Sequence, residues 1–131
     1  MPDEPDVVKR FFESYQSTWV ATRDGKQIAS FYHAPCLSLR GDGTLVCFST
    51  VDEVTEFFQS AADAYYRQGW ERIAFQGLST ELLGSRSAFA TMTWQAWKAD
   101  GTLAKEWRQS YNLCRLGGTW QIVLSTFHVG S

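Results

Sequence analysis

Residues 106–128, EWRQSYNLCRLGGTWQIVLSTFH, decide the fold. Two apolar segments flank Gly117-Gly118, a dipeptide that is typical of a two-residue hairpin turn. Such a turn fixes the pairing register, because Leu116 and Thr119 on either side of it must face each other. Both segments are longer than the usual strand of about 5–6 residues, and long antiparallel strands twist and coil. The stretch therefore predicts the curved centre of an antiparallel sheet.

Further turns precede this hairpin. Gly84-Ser85 and Asp100-Gly101 separate two more apolar segments, so four long strands are predicted in the second half of the chain. A three-residue turn at Gly84 would bury Leu78 and Leu82, whereas a two-residue turn would bury Glu81, and we favour the former. Gly77 is expected to form a bulge that helps the sheet bend. Earlier in the chain, residues 36–40 and 44–48 alternate around a Gly-Asp-Gly turn and predict a short hairpin.

Helical patterns occupy the rest of the chain. The first helix has Asp3 or Asp6 as its cap and a stripe of apolar residues at helical spacing: Val8, Phe11, Phe12, Tyr15 and Trp19. A second, short helix over DGKQIASFYH has the capping-box pair Asp24 and Gln27 and includes Tyr32 on its apolar side, with Pro35 beyond its end.

The third helix has the clearest signals. Thr50 and Glu53 have capping-box spacing, apolar residues follow at helical spacing from Val51 to Tyr65, and Gly69 ends the helix. The element order is ααββαββββ. We therefore predict an α+β, cone-shaped fold in which a strongly curved, mostly antiparallel sheet wraps three helices, as a single domain over residues 1–131.

Counting outward from the two glycine turns assigns the faces of the last three strands. Trp94 faces Trp107, Gln109 faces Thr126, and Trp107 faces His128 in this count. The inner face is then composed of Ala88, Ala90, Met92, Trp94, Trp107, Gln109, Tyr111, Leu113, Trp120, Ile122, Leu124, Thr126 and His128. This face is aliphatic near Gly117-Gly118 and mixed aromatic and polar at the other end, which is the usual composition of a ligand pocket.

Composition and charge exclude several classes of function. The net charge is −2 and the basic residues are scattered, so neither nucleic acid nor a membrane surface is an expected partner. No segment reads as a secretory signal or a membrane span, which predicts a cytoplasmic protein. Metal-ligand spacing and phosphate-binding loops are not found, so we expect no metal and no cofactor.

The three cysteines include no C-x-x-C pair. In a cytoplasmic protein they are best interpreted as reduced structural thiols. Cys36 and Cys47 would be close neighbours in the predicted hairpin, so a disulfide between them stays a less favoured alternative.

The order of elements, the short capped second helix ending in Phe31-Tyr32 and the Trp-x-Ile strand near the C-terminus resemble the nuclear transport factor 2-like superfamily. That group includes SnoaL-like and ketosteroid-isomerase-like domains. The resemblance covers the chain from Val7 to His128 and is a pattern of elements, not a catalytic signature. It implies a cone-shaped fold, a deep hydrophobic pocket and homodimers packed through the outer face of the sheet.

The catalytic residues of the isomerase-like members transfer poorly. Their aspartate base falls at Arg40, or at Ser38 if one residue is gapped, and neither is an equivalent base. Their tyrosine donor on the first helix falls near Tyr15 or Gln16. Their second carboxylic acid has no counterpart on the predicted inner face, so ketosteroid-isomerase chemistry is not predicted.

We interpret the chain as a domain that binds a small apolar or aromatic organic molecule. If it is an enzyme, cofactor-free isomerisation or dehydration is expected, with His128 as acid-base and Tyr15 as donor, since an imidazole titrates near neutral pH. His33 either reaches the pocket mouth or contacts the end of the second helix. The other predicted ligand-binding residues are Trp19, Tyr32, Met92, Trp94, Trp107, Gln109, Tyr111 and Thr126. The alternative is a non-catalytic interaction or ligand-sensing domain that works through homodimerisation.

Overall fold

The structure, a computed structural model, describes residues 5–130. The helices are α1 (Pro5–Ala21), α2 (Gly25–Ala29) and α3 (Val51–Arg67). The strands are β1 (Tyr32–Leu39), β2 (Leu45–Phe48), β3 (Trp70–Leu83), β4 (Ser87–Lys98), β5 (Leu103–Leu116) and β6 (Thr119–Phe127). The order ααββαββββ and the α+β class are as predicted.

One sheet contains all six strands, in the order β2-β1-β6-β5-β4-β3. Every neighbouring pair is antiparallel except β1 and β6, which are parallel. The three helices pack on one face of this open, curved sheet, which we call the inner face, and the opposite one is the outer face. The predicted cone of a mostly antiparallel sheet around three helices is confirmed.

Apolar residues of α1, α3 and the inner face form a single core cluster. Its fully buried large side chains are Phe12, Ile28, Met92, Leu113, Ile122, Val8 and Val54. The capping box between Thr50 and Glu53 is present at the start of α3, and Gly69 follows its end with a φ of 84°. Val51, predicted on the apolar side of α3, is 63% exposed because it occupies the first turn.

The predicted register of β4 and β5 is confirmed from Ala88 to Ala96 but not beside the turn, where a register shift pairs Trp97 with Leu103. Trp94 pairs with Trp107 and Ala88 with Leu113. Gly77, with a φ of 66°, lies within the register shift between Gln76 and Ser79, so the expected bulge is there. The turn after β3 has three residues, because Leu83 pairs with Ser87. Leu78 and Leu82 accordingly pack against the core, as the favoured alternative required.

The predicted register of β6 is wrong beyond Ile122. Leu113 pairs with Ile122 as predicted, but the next pair is Asn112 with Leu124, so β6 contains one extra residue. This bulge inverts the faces of the rest of the strand. Tyr111 pairs with Ser125, Ser110 with Thr126 and Gln109 with Phe127. Ser125 and Phe127 therefore face inward, whereas Thr126 and His128 face outward.

The second helix is also shorter than predicted. α2 ends at Ala29, and Tyr32 is the first residue of β1, where it pairs with Ile122. Asp24 caps α2 as expected, its Oδ1 accepting from the Lys26 amide at 2.9 Å. Asp6 lies in the first turn of α1 and does not precede it, whereas Asp3 is outside the described residues.

Cys36, Cys47 and Cys114 are all free thiols. In the β1–β2 hairpin, Cys47 pairs with Leu37 and Cys36 with Phe48, so the two thiols lie on neighbouring rungs. Cys36 is buried and Cys47 is exposed. Burial raises the pKa of the Cys36 thiol to about 11 and so keeps it protonated at neutral pH.

Close packing of α2 on α3 generates a stability prediction. A Cβ placed on Gly25 would lie 2.6 Å from the carbonyl oxygen of Thr55 and from the amide nitrogen of Gln59, both backbone atoms of α3. We expect Gly25→Ala to lower the free energy of unfolding by about 2–3 kcal/mol, because overpacking forces the helices apart. Urea denaturation followed by circular dichroism measures this. Gly41→Ala is the control: its Cβ would lie 3.6 Å from the ring of Phe127, an ordinary contact, so equal losses for both variants would contradict the prediction.

Candidate functional site

A cavity of about 660 Å³ opens between α1, α3 and the wide end of the sheet. This volume is within the range of pockets that hold small ligands. Its lining residues come from both long helices, from β1 and the turn after it, and from β3 to β6: Tyr15, Trp19, Tyr32, Ser38, Arg40, Gly41, Asp42, Phe57, Phe58, Ser60, Ala61, Ala64, Tyr65, Ile73, Trp94, Lys105, Trp107, Gln109, Tyr111, Ser125 and Phe127.

Four aromatic residues of the lining form one wall of the cavity: Trp19, Tyr65, Trp107 and Phe127. Trp70 does not line the cavity but connects two of them, since it stacks on Tyr65 with ring centroids 4.2 Å apart and on Trp107 at 5.9 Å. Trp107 in turn stacks on Phe127 at 6.3 Å, and Trp19 is 5.4 Å from Tyr65. Packed rings lose little conformational entropy when they meet a ligand, so this wall is suited to a flat, apolar molecule.

The buried end of the cavity, which we call the floor, is composed of Tyr15, Tyr32, Trp94 and Tyr111. The hydroxyls of Tyr15 and Tyr32 are 2.6 Å apart and share a hydrogen bond. The indole Nε1 of Trp94 donates to the hydroxyl of Tyr111 at 3.0 Å. Three phenolic groups are thereby fixed by packing and hydrogen bonds at the closed side of an apolar cavity.

Burial makes these phenols poor acids. Desolvation raises the pKa of Tyr15, of Tyr32 and of Tyr111 well above the ordinary value for tyrosine. For Tyr15, the hydrogen bond from Tyr32 opposes the rise without cancelling it. All three are therefore protonated at neutral pH, and the floor presents O–H donors and not phenolates.

A second polar group lies on the inner face beside the aromatic wall. The Nε1 of Trp107 donates to the Oε1 of Gln109 at 2.9 Å, and the Nε2 of Gln109 donates to the Oγ of Ser125 at 2.6 Å. Gln109 and Ser125 are only 5% and 2% exposed, so this network is buried and its members are mutually oriented. It fixes the ring of Trp107 against the cavity.

Charged residues lie only at the exposed end of the cavity, which we call the mouth. Arg40 and Asp42 come from the end of β1 and the turn after it, and Lys105 comes from β5. The Arg40 guanidinium lies 5.2 Å from the ring centroid of Phe57, and the Lys105 Nζ lies 5.9 Å from that of Trp107. Asp42 Oδ1 accepts from the amide and the hydroxyl of Thr44.

Seven of the predicted site residues line this cavity: Tyr15, Trp19, Tyr32, Trp94, Trp107, Gln109 and Tyr111. Four do not. Met92 is fully buried in the core, and Thr126 points away because of the bulge in β6. His33 lies in β1 with its Nδ1 3.1 Å from the carbonyl oxygen of Pro35.

His128 lies on the outer face, contrary to its predicted position opposite Trp107. Its amide donates to the carbonyl of Arg108, and its Nε2 is 2.8 Å from the hydroxyl of Ser110. Ser110 also contacts the hydroxyl of Thr91 at 2.6 Å. The sheet separates this imidazole from the cavity, so the geometric reason for choosing it as an acid-base group is lost.

Ser125 and Phe127 lie on the inner face, where neither was predicted. One signal in the sequence could have identified them. An uninterrupted count along β6 puts the polar Thr126 and His128 on the buried face and the aromatic Phe127 on the exposed one, which is the reverse of the usual pattern. Arg40 and Ser38 line the cavity, and they are the two positions at which the isomerase-like base was expected to fall. Lys105 occupies an inner position of β5, opposite the buried Ala96.

Within residues 5–130, no group of three or more His, Cys, Asp or Glu side chains is arranged to hold a metal ion. None of the helices in the described part of the chain is long and apolar enough to cross a membrane.

Residues 3–129 match the family model described as NTF2-like protein (DUF6841). The chain belongs to this family of nuclear transport factor 2-like proteins. A comparison with curated proteins finds no match.

Solved structures with the same fold are similar over nearly the whole chain. Aln2 from a Streptomyces species has a TM-score of 0.77 at 14% identity, covering 95% of this chain and 91% of that one. An NTF-2 like protein of unknown function from Shewanella oneidensis has a TM-score of 0.75 at 12% identity, covering 99% and 100%. A putative calcium/calmodulin dependent protein kinase II association domain from Xanthomonas campestris has 0.72 at 14%, covering 95% and 88%. At these identities the likeness shows the fold alone.

The buried phenols of the floor predict how the protein behaves at high pH. Tyrosines of the unfolded chain ionise near pH 10. Tyr15, Tyr32 and Tyr111 have a raised pKa in the folded state and keep their protons, so their contribution to stability is intact below pH 10 and is lost above it. Each should lower the free energy of unfolding by about 1.4 kcal/mol per pH unit above 10.

Absorbance at 295 nm measures this difference. At pH 11 the folded protein should show at least three fewer tyrosinates than the protein unfolded in guanidinium chloride, and Tyr111→Phe should reduce the gap by one. Ionisation of all five tyrosines in a protein that is still folded by circular dichroism would contradict the assignment.

Proposed function

We propose that this domain binds a small, largely apolar organic molecule inside the cone, with an acceptor atom of that molecule at the floor. The observation that carries the proposal is that the floor has hydroxyl groups whose protons have no acceptor among residues 5–130. The Tyr111 hydroxyl accepts from Trp94, and its own proton meets no acceptor among residues 5–130. The Tyr15–Tyr32 pair has two hydroxyl protons and uses one between them.

Two free donors at the end of an apolar cavity favour a particular class of ligand. Buried donors need a partner, and leaving one unsatisfied costs about 1–3 kcal/mol. A carbonyl or similar oxygen at the floor would accept from both phenols, while the aromatic wall covers the rest of the molecule. A ligand with an acceptor atom at its inner end and a flat apolar body matches both requirements.

Binding is better supported than acid-base catalysis. Among the described lining residues, the only carboxylate is Asp42, which lies at the mouth and is engaged by Thr44. The tyrosines are protonated, and His128 is on the outer face. Tyr15 therefore enters the proposal as an orienting donor, and isomerisation or dehydration with histidine as the base has no geometric support.

Filling the cavity from α3 tests the proposal. Ala64 lines the cavity, so Ala64→Phe would place a ring in the space that the ligand needs. Nile red is a suitable probe because it is flat, neutral and contains a carbonyl oxygen. We expect the wild-type protein to enhance Nile red fluorescence saturably with one site per chain, and Ala64→Phe to weaken that binding at least about tenfold, equal to 1.4 kcal/mol.

Ala21→Phe is the matched control, since Ala21 is exposed at the end of α1 and outside the cavity. Wild-type and Ala21→Phe proteins should bind the dye equally. Equal binding by Ala64→Phe would place the dye elsewhere on the molecule, and failure of the wild type to bind it would contradict the proposal.

We also propose that the outer face is the contact of a homodimer. The observation that favours this is a set of exposed apolar side chains on strands β3 to β5: Leu83, Phe89 and Leu116 are 45%, 40% and 44% exposed. By strand alternation all three project from the outer face. A second copy related by a two-fold axis would cover these side chains with their equivalents.

Phe89→Arg tests the dimer contact. A two-fold interface would bring the new charge near its own copy, so we expect the variant to be monomeric in sedimentation velocity experiments at concentrations where the wild type is dimeric. Val20→Arg is the control, because Val20 is similarly exposed at 37% but lies on α1. A monomeric wild type, or a Phe89→Arg protein that remains dimeric, would contradict the proposal.

A further inference from the structure

Two cations lie at the mouth of the cavity, and neither forms an ion pair within residues 5–130. The ion pair among these residues joins Arg23 to Glu71, neither of which lines the cavity. The pKa of the Asp42 carboxyl is lowered mainly by its hydrogen bonds from Thr44 and to a smaller extent by the Arg40 guanidinium. The nearby Asp42 carboxylate is engaged by Thr44, and Glu106, next to Lys105, accepts from Gln95 on the outer face. Counting Arg40, Lys105 and Asp42, the mouth has a formal charge of +1, whereas the whole chain has −2.

Each of the two cations lies over the ring of an aromatic residue that lines the cavity. Arg40 extends from the end of β1 to the ring of Phe57 on α3. Its charge also reaches Tyr65 further along α3: burial raises the pKa of Tyr65, and the Arg40 guanidinium opposes that rise. Lys105 lies over Trp107. Contacts of this kind contribute about 0.5–1 kcal/mol and restrict where the charge lies.

The segments that carry the two cations meet at Phe127. The Trp107 ring, over which Lys105 lies, stacks on Phe127. Phe127 in turn packs beside the backbone of Gly41, the residue after Arg40, where an added Cβ would be 3.6 Å from its ring. Phe127 therefore contacts both the ring under Lys105 and the residue next to Arg40.

We propose that the natural ligand has a carboxylate that binds Arg40 and Lys105 at the mouth while its apolar body occupies the cone. This inference rests on the proposed function and adds the class of ligand: an amphipathic monocarboxylic acid with an aromatic or other flat apolar body. An arginine offers a carboxylate two parallel N–H donors, and an ammonium that reaches the same carboxylate adds a third. At the exposed mouth the carboxylate also keeps part of its hydration, so its desolvation cost is small.

A pair of probes that differ only in charge tests the inference. 2-Naphthoate and 2-naphthamide have the same ring and nearly the same shape, and only the first is an anion at pH 7.5. By isothermal titration calorimetry we expect the wild type to bind 2-naphthoate about tenfold more tightly than 2-naphthamide at low salt. The preference should shrink at 0.5 M NaCl, since exposed charges are screened.

Substitutions at the mouth should remove the preference for 2-naphthoate over 2-naphthamide but should not prevent either probe from binding. We expect the Arg40→Gln/Lys105→Gln protein to bind the two probes equally and to bind 2-naphthamide as the wild type does. Asp42→Asn, which retains an acceptor oxygen for Thr44, should increase the preference about twofold to threefold by removing the opposing charge. Arg72→Gln is the control, because the Arg72 guanidinium also lies over a ring, that of Trp97 at 5.0 Å, but outside this cavity.

Nile red separates failure of this inference from failure of the proposed function. Suppose that Nile red binds in the cone but the wild type does not prefer 2-naphthoate, or that the double variant prefers 2-naphthoate as strongly as the wild type does. Either result would contradict the carboxylate site and leave the proposal of an apolar pocket intact. If neither Nile red nor either naphthalene binds, both proposals fail together.

Discussion

The pairing of β5 with β6 changes register once, next to Leu113, and the composition of the cavity depends on that change. Before it, Leu113 and Ile122 close the narrow end of the cone with fully buried aliphatic side chains. After it, Ser125 and Phe127 take the inner positions. The Ser125 hydroxyl accepts a hydrogen bond from the Gln109 amide, and the Gln109 amide oxygen accepts one from the Trp107 indole. Trp107 also stacks on Phe127. One extra residue in β6 thus assembles the polar network and the aromatic wall together.

The chemical character of the lining changes from the narrow, closed end of the cone to its open mouth. The narrow end is packed by Phe12, Ile28 and Leu113 without polar groups. The floor adds phenols that are fixed in place and kept protonated by burial. The mouth adds cations held on aromatic rings. A molecule entering from solvent would therefore meet charge first, then aromatic surface, and hydrogen-bond donors last.

Most of the fold could be predicted from the sequence because glycine turns fix register locally. Gly117-Gly118 placed Leu113 opposite Ile122, as found. Asp100-Gly101 placed Trp94 opposite Trp107 correctly, although the turn contains residues 99–101 and a register shift between Ala96 and Trp97 compensates for the extra residue. The α3 capping box is equally local. The bulge in β6 could not be predicted in the same way, because it lies within Ile122-Val123-Leu124, where no glycine or proline marks it. The four residues that follow it were therefore assigned to the wrong faces.

The candidate site was predicted in part for the same reason. Tyr15 and Trp19 on α1, and Trp94, Trp107, Gln109 and Tyr111 on β4 and β5, line the cavity because helical period and strand alternation place them there. Tyr32 lines it too, although from the start of β1 and not from a helix. Arg40 was not predicted as a site residue, since its position depends on how the β1–β2 turn approaches Phe127 across the parallel β1–β6 pair. Contacts between distant segments are not encoded in local spacing. Lys105 was not predicted either, although strand alternation from Trp107 places it on the inner face.

The central claim is that the cone is an open binding site whose floor donates hydrogen bonds. A crystal structure of the protein with Nile red bound tests it most directly. The account predicts the dye against the wall of Trp107 and Phe127, with its carbonyl oxygen within about 3.2 Å of the Tyr111 hydroxyl. A dye bound on the outer face, or a cone in which Trp19 and Trp107 have collapsed to leave no space, would contradict it.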